Sequence, residues 1–96
     1  MIERLVATDD AQTLTVHWDS GEVSQLSAET LRREARDAWT TREKIDFGHV
    51  TVVPGLTITG LHQIGHGGVN IQFSDGHDKA IFPFVYLREL CASFDK

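Results

Sequence analysis

Val69-Asn70-Ile71-Gln72-Phe73-Ser74-Asp75-Gly76-His77-Asp78 is the stretch on which the fold turns. Apolar Val69, Ile71 and Phe73 alternate with polar Asn70 and Gln72, the two-residue period of a strand with one buried face. Ser74 to Asp78 supplies turn chemistry around Gly76. Lys79 to Phe82 reads as a returning strand. A helix is expected from near Pro83, because proline suits a first helical position where its missing N–H would be unpaired anyway. Leu87, Leu90, Cys91 and Phe94 form its apolar stripe.

The same order occurs earlier in the chain. Leu14, Val16, Trp18, Gly21 and Leu26 match Val69, Ile71, Phe73, Gly76 and Ile81 at one constant offset. Leu31-Arg32 then matches Leu87-Arg88 after one inserted residue. Ser27 has the hydroxyl of a helix N-cap, and Leu26 and Leu31 stand at the spacing of a hydrophobic staple. Leu31, Ala35, Ala38 and Trp39 give that helix a single apolar stripe, which fades at the β-branched pair Thr40-Thr41.

Outside the two matched stretches, Ile2 to Ala7 suggests an additional strand that reaches the hairpin through Thr8-Asp9-Asp10. Val50, Val52 and Val53 suggest a short strand ended by Pro54-Gly55. Leu56 to Ile64 reads as a strand with a bulge at Gly60, returning through Gly65-His66-Gly67-Gly68. The expected class is α+β: a small, mostly antiparallel sheet with two helices, built from a strand–turn–strand–helix unit used twice.

With 96 residues, the chain has room for one domain, spanning 1–96, and one modest core. Net charge is −5, and residues 1–48 hold ten Asp/Glu against six Lys/Arg. An acidic balance of this kind argues against nucleic acid as a partner. Arg32, Arg33 and Arg36 interleave with Glu29, Glu34 and Asp37, the pattern of a solvated helix face with i,i+4 pairs. Cys91 is the single cysteine, which excludes an intrachain disulfide and suits a reducing, cytoplasmic setting. No run approaches the roughly 20 apolar residues of a membrane span.

The second unit, with Ser74-Asp75-Gly76-His77 and Leu87-Arg88-Glu89-Leu90-Cys91, resembles the gamma-butyrobetaine-hydroxylase-like N-terminal domain family. Trp18, Gly21 and Leu31-Arg32 agree with that family's earlier positions, so the resemblance runs from about Leu5 to Cys91. It implies an accessory domain without activity of its own. In carnitine-pathway dioxygenases the domain precedes the catalytic one and carries zinc on three cysteines and a histidine. Elsewhere it is similar to stand-alone bacterial proteins, or to modules fused to P-loop iron–sulfur carrier ATPases. The zinc cysteines would fall at Ala35, Asp37 and Thr40, with His77 at the fourth position. Alanine has no ligand atom and threonine is a poor ligand, so the site is lost here.

Other chemistry is thin. His62 and His66 flank a glycine turn and are expected to be exposed. His17-Trp18-Asp19 contains the His-x-Asp of non-haem iron oxygenases, but those enzymes need a much longer chain, and a core strand accounts for it better. Gly65-His66-Gly67-Gly68 lacks the Gly-Lys-Ser/Thr of a P-loop. Cys91, in an apolar stripe, is expected to be a packing thiol. Phe82 to Tyr86 holds more aromatic surface than a helix start usually hides, and exposed aromatics beside an arginine are typical interface anchors.

The sequence therefore points to a non-catalytic accessory or protein-interaction module without a cofactor, linked through the resemblance to iron–sulfur or metalloenzyme maturation. The expected partner is another protein, an iron–sulfur carrier ATPase or a dioxygenase, and neither nucleic acid nor membrane. Candidate interaction residues are Asp75, Gly76, His77, Phe84, Tyr86 and Arg88. The competing reading is a metal- or cluster-binding protein that uses His77 and Cys91 together with a second chain. A small hydrolase or isomerase ranks last.

Overall fold

Alternation along β2 (Thr13–Trp18) places Leu14, Val16 and Trp18 on one buried face. β2 pairs antiparallel with β1 (Ile2–Ala7) on one side and with β3 (Val23–Ser27) on the other. The same arrangement recurs with β4 (Ile58–Ile64), β5 (Gly68–Phe73) and β6 (Ala80–Pro83), where β5 is the central strand. The computed structural model describes residues 2–94.

The α+β class holds, with two differences in layout. The strands form two antiparallel three-stranded sheets rather than one. Among the described residues, helices α1 (Ala28–Arg33), α2 (Ala38–Phe47) and α3 (Phe84–Phe94) make three rather than the expected two. The sheets meet where the Ile58 N–H donates to the Ala11 carbonyl at 2.7 Å. Side chains of both sheets, with α1 and α3, share one continuous core. Ile58 to Gly60 carries the expected register shift in β4.

The repeat is structural: each unit is a three-stranded meander followed by a helix. Its two hairpin turns match bond for bond. Trp18 N–H meets the Glu22 carbonyl at 2.9 Å, and Phe73 N–H meets that of His77 at 3.0 Å. Gly21 and Gly76 take positive φ of 91° and 90°, a region closed to most side chains. Beyond the turns, the strand pairing departs from the constant sequence offset. Leu14 pairs with Leu26, whereas Val69 pairs with Phe82. The inserted residue therefore lies between His77 and β6, before the strand rather than after it. Phe82 is the buried counterpart of Leu26, and Ile81 is half exposed.

The single first helix expected from the stripe Leu31, Ala35, Ala38 and Trp39 is instead two helices. Ser27 caps α1 as expected, its Oγ accepting from Thr30 N at 3.1 Å, and Leu26 and Leu31 are both buried. The helix nevertheless stops at Arg33. Asp37 starts α2 by accepting from Thr40 N at 3.0 Å, and Gly48 ends it in the left-handed region. The apolar stripe thus breaks after Ala35. Trp39 is 66% exposed, and the buried residue of α2 is Thr40.

Val50 to Val53 form no strand; Val50 is buried, Val52 packs on the core and Val53 is exposed. Pro83 ends β6 rather than opening α3, whose Phe84 N–H donates to the Gly67 carbonyl at 2.8 Å. Along α3 the buried residues are Tyr86, Leu87, Leu90 and Cys91, while Phe94 is exposed.

Candidate functional site

Arg32 is not on a solvated face. Its side chain is buried and crosses from α1 to the β5–β6 turn, where Nε donates to Asp75 Oδ2 at 3.1 Å. The other guanidinium nitrogens reach α2: Nη1 donates to Thr40 Oγ1 at 2.9 Å and Nη2 to Glu43 Oε1 at 3.0 Å. The Thr40 hydroxyl in turn donates to Asp37 Oδ1 at 2.8 Å. That same oxygen receives His77 Nε2 at 3.0 Å, so a proton on Nε2 completes the contact to the ionised carboxylate. Asp75 also turns back to accept from the His77 N–H at 2.9 Å. Arg32, Thr40, Asp37, His77 and Asp75 thus form one closed polar network that fastens α2 to the second hairpin.

Burial on its own would raise the Asp37 pKa, but the backbone and hydroxyl bonds from Thr40 and the pairing with His77 outweigh it. The carboxyl is held below its ordinary value of 3.8. A depressed folded pKa gives stability that is complete above the ordinary value and is lost as pH falls through the folded one. Asp37→Asn is therefore expected to flatten the acid side of the stability profile, leaving wild type with the steeper decline in denaturant unfolding below about pH 4.

Beside this network lies a shallow depression of about 310 Å³ bounded by Trp39, Asp75, Asp78 and Lys79. The remaining candidates fall elsewhere. Arg88 lies over the Trp18 ring at 4.7 Å and approaches Glu22 Oε1 at 3.7 Å. With Phe84 and Val85 it borders a cleft of about 620 Å³ beside the β2–β3 turn. Tyr86 is not available to a partner: it is buried, its hydroxyl donates to the Glu34 carbonyl at 2.6 Å, and Arg36 covers its ring at 3.6 Å. Burial raises its phenol pKa most, partly offset by Arg36. Asp75, Gly76 and His77 thus group at one site and Phe84 and Arg88 at another. Val85, 76% exposed between the last two, escaped the sequence reading because it resembles core.

Cys91 is buried in the α3 stripe and does not line the depression at His77. Trp18 faces the core and donates its ring N–H to Ser24 Oγ at 3.0 Å, consistent with the core-strand reading of His17-Trp18-Asp19. His62 and His66 are exposed at the glycine turn.

Residues 5–88 match the model of the family described as gamma-butyrobetaine hydroxylase-like, N-terminal. The chain belongs to this family. A crystal structure of a DUF971-family protein of unknown function from Acidithiobacillus ferrooxidans is similar at 27% identity and TM-score 0.74, covering 95% of this chain and 92% of the other. A solution structure is similar at 25% identity and TM-score 0.76, over 96% of this chain and 69% of the other. A second solution structure, 23% identical with TM-score 0.69, shares the fold over 96% of this chain and 73% of the other. No curated protein sequence matches the chain.

The family resemblance raised a zinc site at Ala35, Asp37, Thr40 and His77, and the residues present do not fit one. Asp37, Thr40 and His77 do converge, but they bond to one another, and Ala35 brings no ligand atom. Among the described residues no group of three or more His, Cys, Asp or Glu is placed to hold a metal ion. The described helices include none long and apolar enough to cross a membrane.

Proposed function

We propose that this family member is a non-catalytic accessory module that binds another protein through the start of α3. The observation that carries the reading is the face made by Phe84, Val85 and Arg88 beside Trp18. Val85 is 76% exposed there, next to an arginine stacked on an indole. Exposed apolar surface grouped with aromatic and arginine side chains is the composition of interface centres. The buried polar groups at the other site support a structural role for that site, because each finds a partner within the fold. The family resemblance favours a metalloenzyme or an iron–sulfur carrier ATPase as the partner, in the cytoplasm of a bacterial cell, and accessory work in their maturation.

A photo-crosslinking side chain at Val85, introduced in growing cells, tests the reading. Ile45 on α2 is an apolar control of matched exposure, 75% against 76%. A discrete adduct with one protein is expected from Val85 and not from Ile45. Identical adducts from both positions, or none from Val85, would count against an interface at α3.

A further inference from the structure

Arg32 and Arg88 occupy equivalent places in the two units, and the two are covered differently. Each follows the fully buried leucine of its helix, Leu31 or Leu87. Each crosses to the hairpin turn of the other unit, Arg32 to Asp75 at 3.1 Å and Arg88 to Glu22 at 3.7 Å. Over Arg32 the chain lays α2, which adds a hydroxyl and a second carboxylate and leaves that side chain 4% exposed. Among the described residues no helix lies over Arg88 in this way, and its side chain is 55% exposed. We infer that the cleft at Arg88 receives a helix of the partner protein, laid across the arginine as α2 is laid across Arg32 and presenting a carboxylate to it.

This inference rests on the proposed interaction role and names the chemistry of the partner. Asp19, Glu22 and Glu89 also line the cleft, so the complementarity lies at Arg88 itself, and the partner's acid has to be aimed at that one guanidinium. A guanidinium carries five N–H donors in a fixed fork suited to carboxylates. Arg32 meets two carboxylates and a hydroxyl, whereas Arg88 has one long contact to Glu22 and an aromatic face. The turn residues sharpen the orientation. Glu22 stands where His77 stands in the other unit, and in that unit His77 meets Asp37, the residue that opens α2. A carboxylate at this place suits the unpaired N–H groups and positive end of an incoming helix. The partner's helix should therefore start near Glu22 and carry its acidic residue about one or two turns on, over Arg88. Phe84, Val85 and Ile2 line the cleft and give the helix an apolar seat.

The test uses the purified full chain and a display library of helical peptides. Selected peptides are expected to share apolar positions at helical spacing, with an Asp or Glu on the same stripe. Arg88→Glu and Val85→Glu should each weaken binding about tenfold or more, while Ile45→Glu leaves it unchanged. Exchanging the peptide's acid for lysine should restore binding to R88E, a result that a misfolded variant cannot give. Three results would overturn the assignment: no enrichment, enriched peptides without a shared acid, or binding indifferent to R88E. Self-association of the domain that R88E abolishes would also overturn it, by making the occupant a second copy. Any of these alongside a discrete Val85 adduct removes the helix assignment alone; loss of the adduct itself removes the interaction reading.

Discussion

Arg32→Ala is expected to cost about 3–5 kcal/mol of stability, the range for breaking a buried charge pair by removing one partner. The substitution leaves the Asp75 and Glu43 carboxylates without their cation and Thr40 without its donor. It also loosens α2, which has little apolar anchorage: Trp39, Ile45 and Phe47 are exposed, and Thr40 is its buried residue. Against a total stability of roughly 5–15 kcal/mol, such a loss should be visible as a large fall in denaturant midpoint. Arg32→Lys should recover only part of it, because an ammonium cannot reproduce a planar fork directed at three acceptors. A loss below about 1 kcal/mol would place Arg32 among ordinary surface ion pairs.

Phe82→Ala should be comparably severe, about 3–5 kcal/mol, for a different reason. Phe82 is fully buried and lies parallel to Tyr86, with ring centroids 6.1 Å apart. Its removal leaves a cavity where both sheets and α3 share their core. The adjacent Ile81→Ala should change stability by no more than about 0.5 kcal/mol, as for surface positions. Denaturant unfolding of the two variants reads the register directly. The sequence alignment made Ile81 the counterpart of Leu26, so a large effect at Ile81 and a small one at Phe82 would restore that alignment and reject the paired strands.

Those two positions show what the sequence could convey. Leu14, Val16 and Trp18, and again Val69, Ile71 and Phe73, announce their strands because a half-buried strand needs strict alternation. Gly21 and Gly76 mark both turns, and the Leu-Arg pairs mark both helices. The one-residue slip at Ile81 arises at Asp78-Lys79, whose side chains face solvent and leave no periodic trace. α2 was illegible for a deeper reason. It docks through Asp37, Thr40 and Glu43 to Arg32 and His77, and polar docking has no hydrophobic period. Arg32 read as solvated for the same reason: its partner Asp75 is 43 residues away, while acidic neighbours in sequence offered a local explanation. The Asp75-Gly76-His77 turn was legible as distinctive, but its partners across the fold were not. At the other site Phe84 and Arg88 were legible, whereas the exposure of Val85 depends on how α3 rotates onto β3 and β6.

We propose the start of α3 as the working face of this domain. The most direct measurement is a nuclear magnetic resonance titration of the isotope-labelled domain with the protein captured at Val85. The largest shifts are expected on Glu22, Phe84, Val85, Arg88 and the Trp18 indole N–H. Shifts centred instead on Asp75 to Lys79 and Trp39 would contradict it, and would move the function to the polar site at Arg32.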